Sequence, residues 1–539
     1  RIRELFDPAG LVAGSVVVSR TAESGSVECS ARIELKGART LTRYFPAPIE
    51  SATGTLDIMG DKVVFSNLSG VIEPESLGLS GSDLLPVRVR VDGVYRMSSE
   101  QVNVHIEASD IVLCRKAVEA IPAAGSRLWE SLRPSAGKVH LSLRVDAPGK
   151  GRAERYAATA RLSAADLSPV WIPLPLQQVE GTVEVSPDSI RFWNLTGVIP
   201  QQGPPAHVCL NGSMDTHGDS AELQVDLHNL QADQRVVRWI PDVGNDLWEM
   251  LGPEGVVDGT VLLRGALAEG RPEVSGTLRI SSGSTRPSSA ARGTGEAEGA
   301  AAAGTARTWI PVPLRQVEGM LDVAPDAVRF HNLTGVIQQE GVPGRLNLNG
   351  SLGLRSHLAE LTVELHNLHA TEQIVRWTPG AGEDLWELLS PEGFVDGTLL
   401  LRGDVARAGP DVSGTLQISS GRARPSFFPI PVADVAGSVR LDGPQVRIAE
   451  LSGRLQPEGR AASSAPEGGS SVTVRGWLDL SRKEGSFDVR VPDLDLCQEM
   501  VKAIPGLGEN LWRELKPSGV VALSSNVHYR GEQEPTFSY

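Results

Sequence analysis

The chain has little of what the common protein chemistries require. Its 539 residues hold four cysteines, Cys29, Cys114, Cys209 and Cys497. They lie far apart, with no C-x-x-C pair and no histidine at ligand spacing. Three fall within expected strands or helices, so buried free thiols are expected rather than a zinc site or a disulfide framework. Lysine and arginine number 51 against 66 aspartates and glutamates, a formal charge of −15, and they do not cluster. That balance argues against a nucleic-acid partner and weakens any electrostatic grip on anionic lipid. No apolar run approaches the roughly 18–20 residues that a membrane span needs. There is no H-E-x-x-H, no G-x-S-x-G, no Walker-type loop and no helix-opening G-x-G-x-x-G. Neither a metal, a cofactor nor catalytic residues are expected, and the chain reads as non-enzymatic.

What is present is a folded composition, 40% hydrophobic and 22% charged, punctuated by 57 glycines and 36 prolines. The length exceeds what one hydrophobic core supports, so several domains or a repeat array are expected. Internal similarity decides for repeats. The segment "VEGTVEVSPDSIRFWNLTGVI" from Val179 returns as "VEGMLDVAPDAVRFHNLTGVI" from Val317. Weaker copies start at Ala52 and Val435. The shared glycines Gly54, Gly181, Gly319 and Gly437 are 127, 138 and 118 residues apart. A second landmark, "WIPDVGNDLWEMLGPEGVVDGTVLL" around Trp248, follows each first one, with counterparts around Trp129, Trp386 and Trp512. The expected layout is the end of a preceding repeat over 1–20, then repeats over 21–147, 148–266, 267–405 and 406–530, and a truncated start over 531–539. The chain therefore reads as a fragment of a longer protein, with any targeting or anchoring segment outside it.

Each repeat reads as about six strands plus a short helical pair. In "AELQVDLHNL", Leu223, Val225 and Leu227 share one face while Glu222, Gln224, Asp226 and His228 share the other. The copy at Leu361, Val363 and Leu365 repeats this alternation. "SPDS", "APDA", Asn211-Gly212 and Asn349-Gly350 read as hairpin turns. Helical spacing places Val236, Trp239 and Ile240 on one short helix and Leu247, Trp248 and Leu251 on a second, with Pro241 and Gly244 at the break. Residues 286–307 and 457–471, rich in Ala, Gly and Ser, read as disordered loops.

Several residues invite a chemical role and are better explained by structure. His228 and His366 recur on a polar strand face and are absent from the other repeats, which fits solvent exposure. Asp246, Glu249, Glu254 and Asp258 align with Arg127, Glu130, Ser135 and Val139 in the first repeat, which fits helix caps, turns and solvent-facing charge rather than paired-carboxylate chemistry. Asn67, Asn194 and Asn332 stand in N-L-[ST]-G, formally glycan acceptors, and read as turn residues. Trp129, Trp248, Trp386 and Trp512, one per repeat, read as plugs that pack the helical pair onto its own sheet rather than as a ligand-stacking ladder.

The pattern "G-T-apolar-x-apolar … R-F-x-N-L-T-G-V-I … L-N-G-S … L-x-V-x-L-x-N-L", followed by "L-W-E-x-L-x-P-x-G-x-V-D-G", resembles the AsmA-like family of TamB- and YhdP-type proteins over nearly the whole chain. That resemblance implies an elongated, twisted β-groove in the periplasm of a diderm bacterium, anchored in the inner membrane. It implies carriage of phospholipids toward the outer membrane, with membrane proteins as partners at either end. The lining residues would be the apolar strand faces: Leu56, Ile58, Val63, Phe65, Val183, Val185, Ile190, Phe192, Leu223, Val225, Leu227, Leu321, Val323, Val328, Phe330, Leu361, Val363 and Leu365. The same alternation would fill the closed cores of an array of β-sandwiches, leaving a structural spacer or adhesin-like array without ligand. A closed core buries its apolar face fully, whereas a conduit leaves apolar surface open.

Overall fold

The computed structural model of the chain describes residues 9–20, 27–41, 47–79, 84–119, 121, 124–149, 155–172, 174–216, 220–238, 240, 244–266, 272–285, 309–310, 312–378, 382–405, 410–426, 430–456, 470–531 and 535–539. The protein is mainly β: 26 strands belong to one antiparallel sheet that does not close on itself. The chain divides into two compact units, Arg1–Gln231 with Val257–Gly276, and Ala232–Val256 with Thr277–Tyr539.

The first unit holds β1 (Val12–Arg20), β2 (Val27–Thr40), β3 (Ile49–Met59), β4 (Lys62–Ile72), β5 (Val87–Arg96), β6 (Gln101–Val112), β7 (Ala136–Ala147), β8 (Arg155–Leu167), β9 (Leu176–Val185), β10 (Ser189–Ile199), β11 (Ala206–Asp215) and β12 (Ala221–Ala232). From β1 to β12, consecutive strands pair antiparallel. After β13 (Pro253–Arg264) and β14 (Glu273–Thr285), the second unit continues with β15 (Leu314–Val323), β16 (Ala327–Ile337), β17 (Gly344–Gly353), β18 (Leu358–Ala370), β19 (Glu392–Asp404) and β20 (Asp411–Ala423). It ends with β21 (Val432–Asp442), β22 (Gln445–Leu455), β23 (Ser471–Asp479), β24 (Glu484–Asp495), β25 (Val520–Arg530) and β26 (Thr536–Ser538), again paired in order. One open sheet thus stands in place of the alternative expectation, an array of separate sandwiches.

Short helices follow every sixth strand. They are α1 (Arg115–Glu119) and α2 (Gly125–Leu132), α3 (Gln234–Arg238) and α4 (Gly244–Leu251), α5 (Glu372–Trp377) and α6 (Gly382–Leu389), and α7 (Gln498–Lys502) and α8 (Gly508–Leu515). The second helix of each pair ends alike. Arg133, Gly252, Ser390 and Lys516 take left-handed φ values of 40° to 48° and donate their N–H to the carbonyl of Trp129, Trp248, Trp386 and Trp512. This left-handed cap satisfies a helix-end carbonyl and turns the chain back toward a strand.

The N-L-[ST]-G motif has a different role from the one expected. It lies inside β4, β10 and β16, where the pairing slips between Phe65 and Leu68, Phe192 and Leu195, and Phe330 and Leu333. Asn67, Asn194 and Asn332 are bulge residues with φ of 51°, 46° and 47°, a conformation that asparagine tolerates better than most residues. The fourth copy slips at the same step, between Ile448 and Leu451. Each bulge resets the alternation. Ile190 and Phe192 precede it and Leu195 and Ile199 follow it, yet all four are buried on the same face. The next strand latches the first three bulges. The N–H groups of Asn67, Asn194 and Asn332 donate to the side-chain oxygens of Asp92, Asn211 and Asn349, each at 2.8 Å.

The glycine landmark explains itself against these bulges. Gly181 (φ 143°) and Gly319 (φ 158°) lie beneath them, and an added Cβ would stand 2.8 Å from Leu195 Cα and 2.7 Å from Leu333 Cα. Only glycine combines that backbone with so close a neighbour.

Asn211-Gly212 and Asn349-Gly350 are not hairpin turns. They sit mid-strand in β11 and β17, opposite Gln224-Leu223 and Thr362-Leu361, where the asparagine is needed as a latch. "SPDS" and "APDA" do join β9 to β10 and β15 to β16. Of the four cysteines, all free, Cys114 is buried, Cys209 and Cys497 are half-buried, and Cys29 is exposed on β2, contrary to its expected burial. Residues 286–307 and 457–469 lie outside the described residues, whereas Ser471 opens β23.

Candidate functional site

Period-two alternation gives the sheet one apolar face, and the bulges keep that face continuous through long strands. In the second unit it lines two cavities. One, of about 250 Å³, is bordered by six consecutive strands, β17 to β22, and by Ile374, Val375, Leu385 and Leu389 of α5 and α6. The other, of about 190 Å³, is bordered by β20 to β26 together with Met500 of α7. Leu389, Ala423, Val435, Ile448 and Leu451 belong to both walls, so the cavities adjoin. An apolar cavity of about 150 Å³ already stays dry and accepts a benzene-sized guest, so both are large enough to hold one. In the first unit, Leu141, Leu143, Ala158, Ala160 and Leu162 meet Val118 of α1 and Leu128 of α2 around only about 80 Å³.

Among the residues expected to line a groove, Val183 and Val185 border the first-unit cavity, and Val363 and Leu365 border the larger second-unit one. The rest do not border these cavities. Val63, Phe65, Ile190, Phe192, Leu223, Val225, Val323, Val328, Phe330 and Leu361 are buried, while Leu56, Ile58, Leu227 and Leu321 are half-buried. Trp129, Trp248, Trp386 and Trp512 are half-buried as well. The deeper helix residues are Leu128, Leu132, Leu247, Leu251 and Leu388.

Two other tryptophans are the largest fully buried side chains. Trp171 (1% exposed) and Trp309 (0%) open "WIPLPL" and "WIPVPL", the segments that lead into β9 and β15. Trp309 borders the 250 Å³ cavity. Neither indole Nε1–H finds a hydrogen-bond partner among the described residues, and the same holds for the Ser525 hydroxyl in the wall of the 190 Å³ cavity. The repeated Trp-Ile-Pro-x-Pro-Leu string was the sequence signal for the tryptophans. Ser525 gave none.

The opposite face is polar and paired. Arg264 meets Glu222 and Arg402 meets Glu360, both at 2.8 Å and at equivalent places in two repeats. His228 and His366 are exposed there. Asp258 and its counterpart Asp396 accept the N–H of Asn229 and Asn367 at 2.8 and 2.9 Å, so this pair latches the backbone of the preceding strand. The Asn67 N–H holds the Asp92 carboxyl below its ordinary pKa against a desolvation cost, with Arg90 adding to the effect. Among the described residues there is no cluster of three or more His, Cys, Asp or Glu able to hold a metal ion, and no helix long and apolar enough to cross a membrane.

No protein family, no curated protein and no solved structure matches the chain.

Proposed function

We propose that the apolar face of the sheet binds the acyl chains of phospholipids and works as a non-enzymatic conduit. In this reading the repeats form a groove that passes phospholipid between the inner and outer membranes, supporting outer-membrane biogenesis. The protein would work in the periplasm, with membrane proteins receiving and delivering lipid at its ends. The observation that carries the reading is the pair of adjoining second-unit cavities, walled mainly by apolar side chains and sharing Leu389, Ala423, Val435, Ile448 and Leu451. Each methylene sheltered from water there contributes about 0.8 kcal/mol, so the roughly 30 methylenes of a two-chain lipid avoid a gross penalty of about 24 kcal/mol. A largely apolar wall suits acyl chains. The likeness of the strand pattern to AsmA-like proteins supports the same reading.

Native mass spectrometry with lipid extraction tests it. Purified protein should carry phospholipid, and Ile448→Asp should remove it from the second unit while Val185→Asp leaves that load in place. Circular dichroism on both variants separates lost binding from lost fold. A folded wild-type protein free of lipid, and unable to take it up from vesicles, would sink the proposal. One observation favours a second reading, a spacer filled by its own side chains: Leu223, Leu348 and Leu361 are fully buried without any guest. That reading predicts the lipid-free result.

A further inference from the structure

A buried donor without a partner costs about 1–3 kcal/mol, and native proteins retain few of them. Here three recur, two of them in the segments that lead into β9 and β15 and one on β25. Trp171 and Trp309 are equivalent residues of two repeats, each 1% exposed or less, and neither Nε1–H has a partner among the described residues. Trp309 places its indole at a cavity whose other walls are almost wholly aliphatic. Ser525 adds a third such group. Counted from the glycine after the helical pair, it occupies the position of Leu143 and Leu399 in other repeats, pairs in register with Val489, and is 8% exposed. A leucine there would cost nothing in hydrogen bonding, so the hydroxyl calls for a partner within the neighbouring cavity.

We propose that Trp309 and Ser525 are polar anchor points inside the second-unit cavities, donating hydrogen bonds to an oxygen of the bound amphiphile, with Trp171 as the counterpart in the first unit. The inference rests on the acyl-chain reading above and adds to it the side chains that would recognise the ester. An indole N–H only donates, so its partner is an acceptor. The indole carries no charge to offset an ionised carboxylate in an apolar cavity, so a neutral ester carbonyl fits better than a free fatty acid. The preferred guest is therefore an esterified acyl chain rather than a bare hydrocarbon. In the fourth repeat the tryptophan position is Phe427, which has no donor, so the anchor is not a feature of every repeat.

The test compares methyl hexadecanoate with hexadecane on the full chain, delipidated and labelled with ¹⁵N at tryptophan. The indole signal that disappears in Trp309→Phe identifies Trp309. It should move downfield when methyl hexadecanoate binds and stay in place with hexadecane. Trp309→Phe should weaken the ester roughly 3- to 10-fold and leave hexadecane unchanged. Ser525→Ala should act in the same direction and stands in if the aromatic substitution does not fold. If both guests bind and neither moves the indole signal, the anchor is overturned and the acyl-chain reading stands. The anchor is likewise overturned if the signal already sits at a hydrogen-bonded position in the guest-free protein, with a water as its partner. If neither guest binds the folded wild-type protein, both proposals fall.

Discussion

The inner faces of the two units use one strand pattern and pack it differently. In the first unit Leu141 and Leu143 on β7 and Leu162 on β8 interlock with α1 and α2, leaving about 80 Å³. In the second unit the corresponding rows, with Leu399 on β19 and Ile418 on β20, stand around about 250 Å³, and the neighbouring rows surround about 190 Å³ more. The polar face is alike in both, and so are the bulge latches, except that Asp92 stands where Asn211 and Asn349 do the same work. Alternation therefore sets which face is apolar, while the fill of that face depends on individual side chains and on how closely each helical pair approaches.

Substitutions can break this comparison or sharpen it. The largest effect is expected where the units are the same. Gly181→Val and Gly319→Val should each cost more than about 3 kcal/mol, because a left-handed backbone and a close strand both reject a side chain. Hydrogen exchange should show the loss around β9–β11 for the first variant and around β15–β17 for the second. Next come the equivalent leucines where the units differ. Leu143→Ala in the tightly packed unit should cost about 3–5 kcal/mol, and Leu399→Ala, already facing a cavity, about 2–3 kcal/mol. Equal losses in denaturant unfolding would show that the two interiors are packed alike.

A smaller contrast lies in the latches. The depressed Asp92 carboxyl stabilises the folded state fully above the ordinary carboxylate pKa, and this contribution is lost as pH falls through its lower folded value. Asn349, which latches the matching bulge in the second unit, does not titrate. The protection factor for exchange at Asn67, the observed rate corrected for the intrinsic rate at each pH, should therefore fall in acid while that at Asn332 holds, and Asp92→Asn should abolish the difference. Smallest of all, Arg402→Ala and Arg264→Ala should each cost at most about 1 kcal/mol, and less in high salt, since both pairs are exposed. Thermal shifts at two salt concentrations measure this.

The strand order was legible in the sequence because alternation such as Leu223-Val225-Leu227 has a period that only a strand shares. The bulges were legible only as landmarks. Asn194 and Asn211 look like turn residues in isolation, since asparagine's tolerance of left-handed φ serves a turn and a bulge equally, and only the facing strand decides between them. The half-burial of Trp129, Trp248, Trp386 and Trp512 could not be read either, because helical spacing marks a face and not its depth. Trp171 and Trp309 stood in a proline-rich segment with no period, so nothing local marked them as the most deeply buried rings.

The central claim, that the second-unit interior holds acyl chains, is tested most directly by placing the photocrosslinker benzoylphenylalanine at position 448 on the shared cavity wall, or at the exposed position 447 on the opposite face, and irradiating the protein with phospholipid vesicles. Lipid adducts from position 448 and none from 447 are expected. Equal adducts from both, or none from either in a folded protein, would contradict the claim.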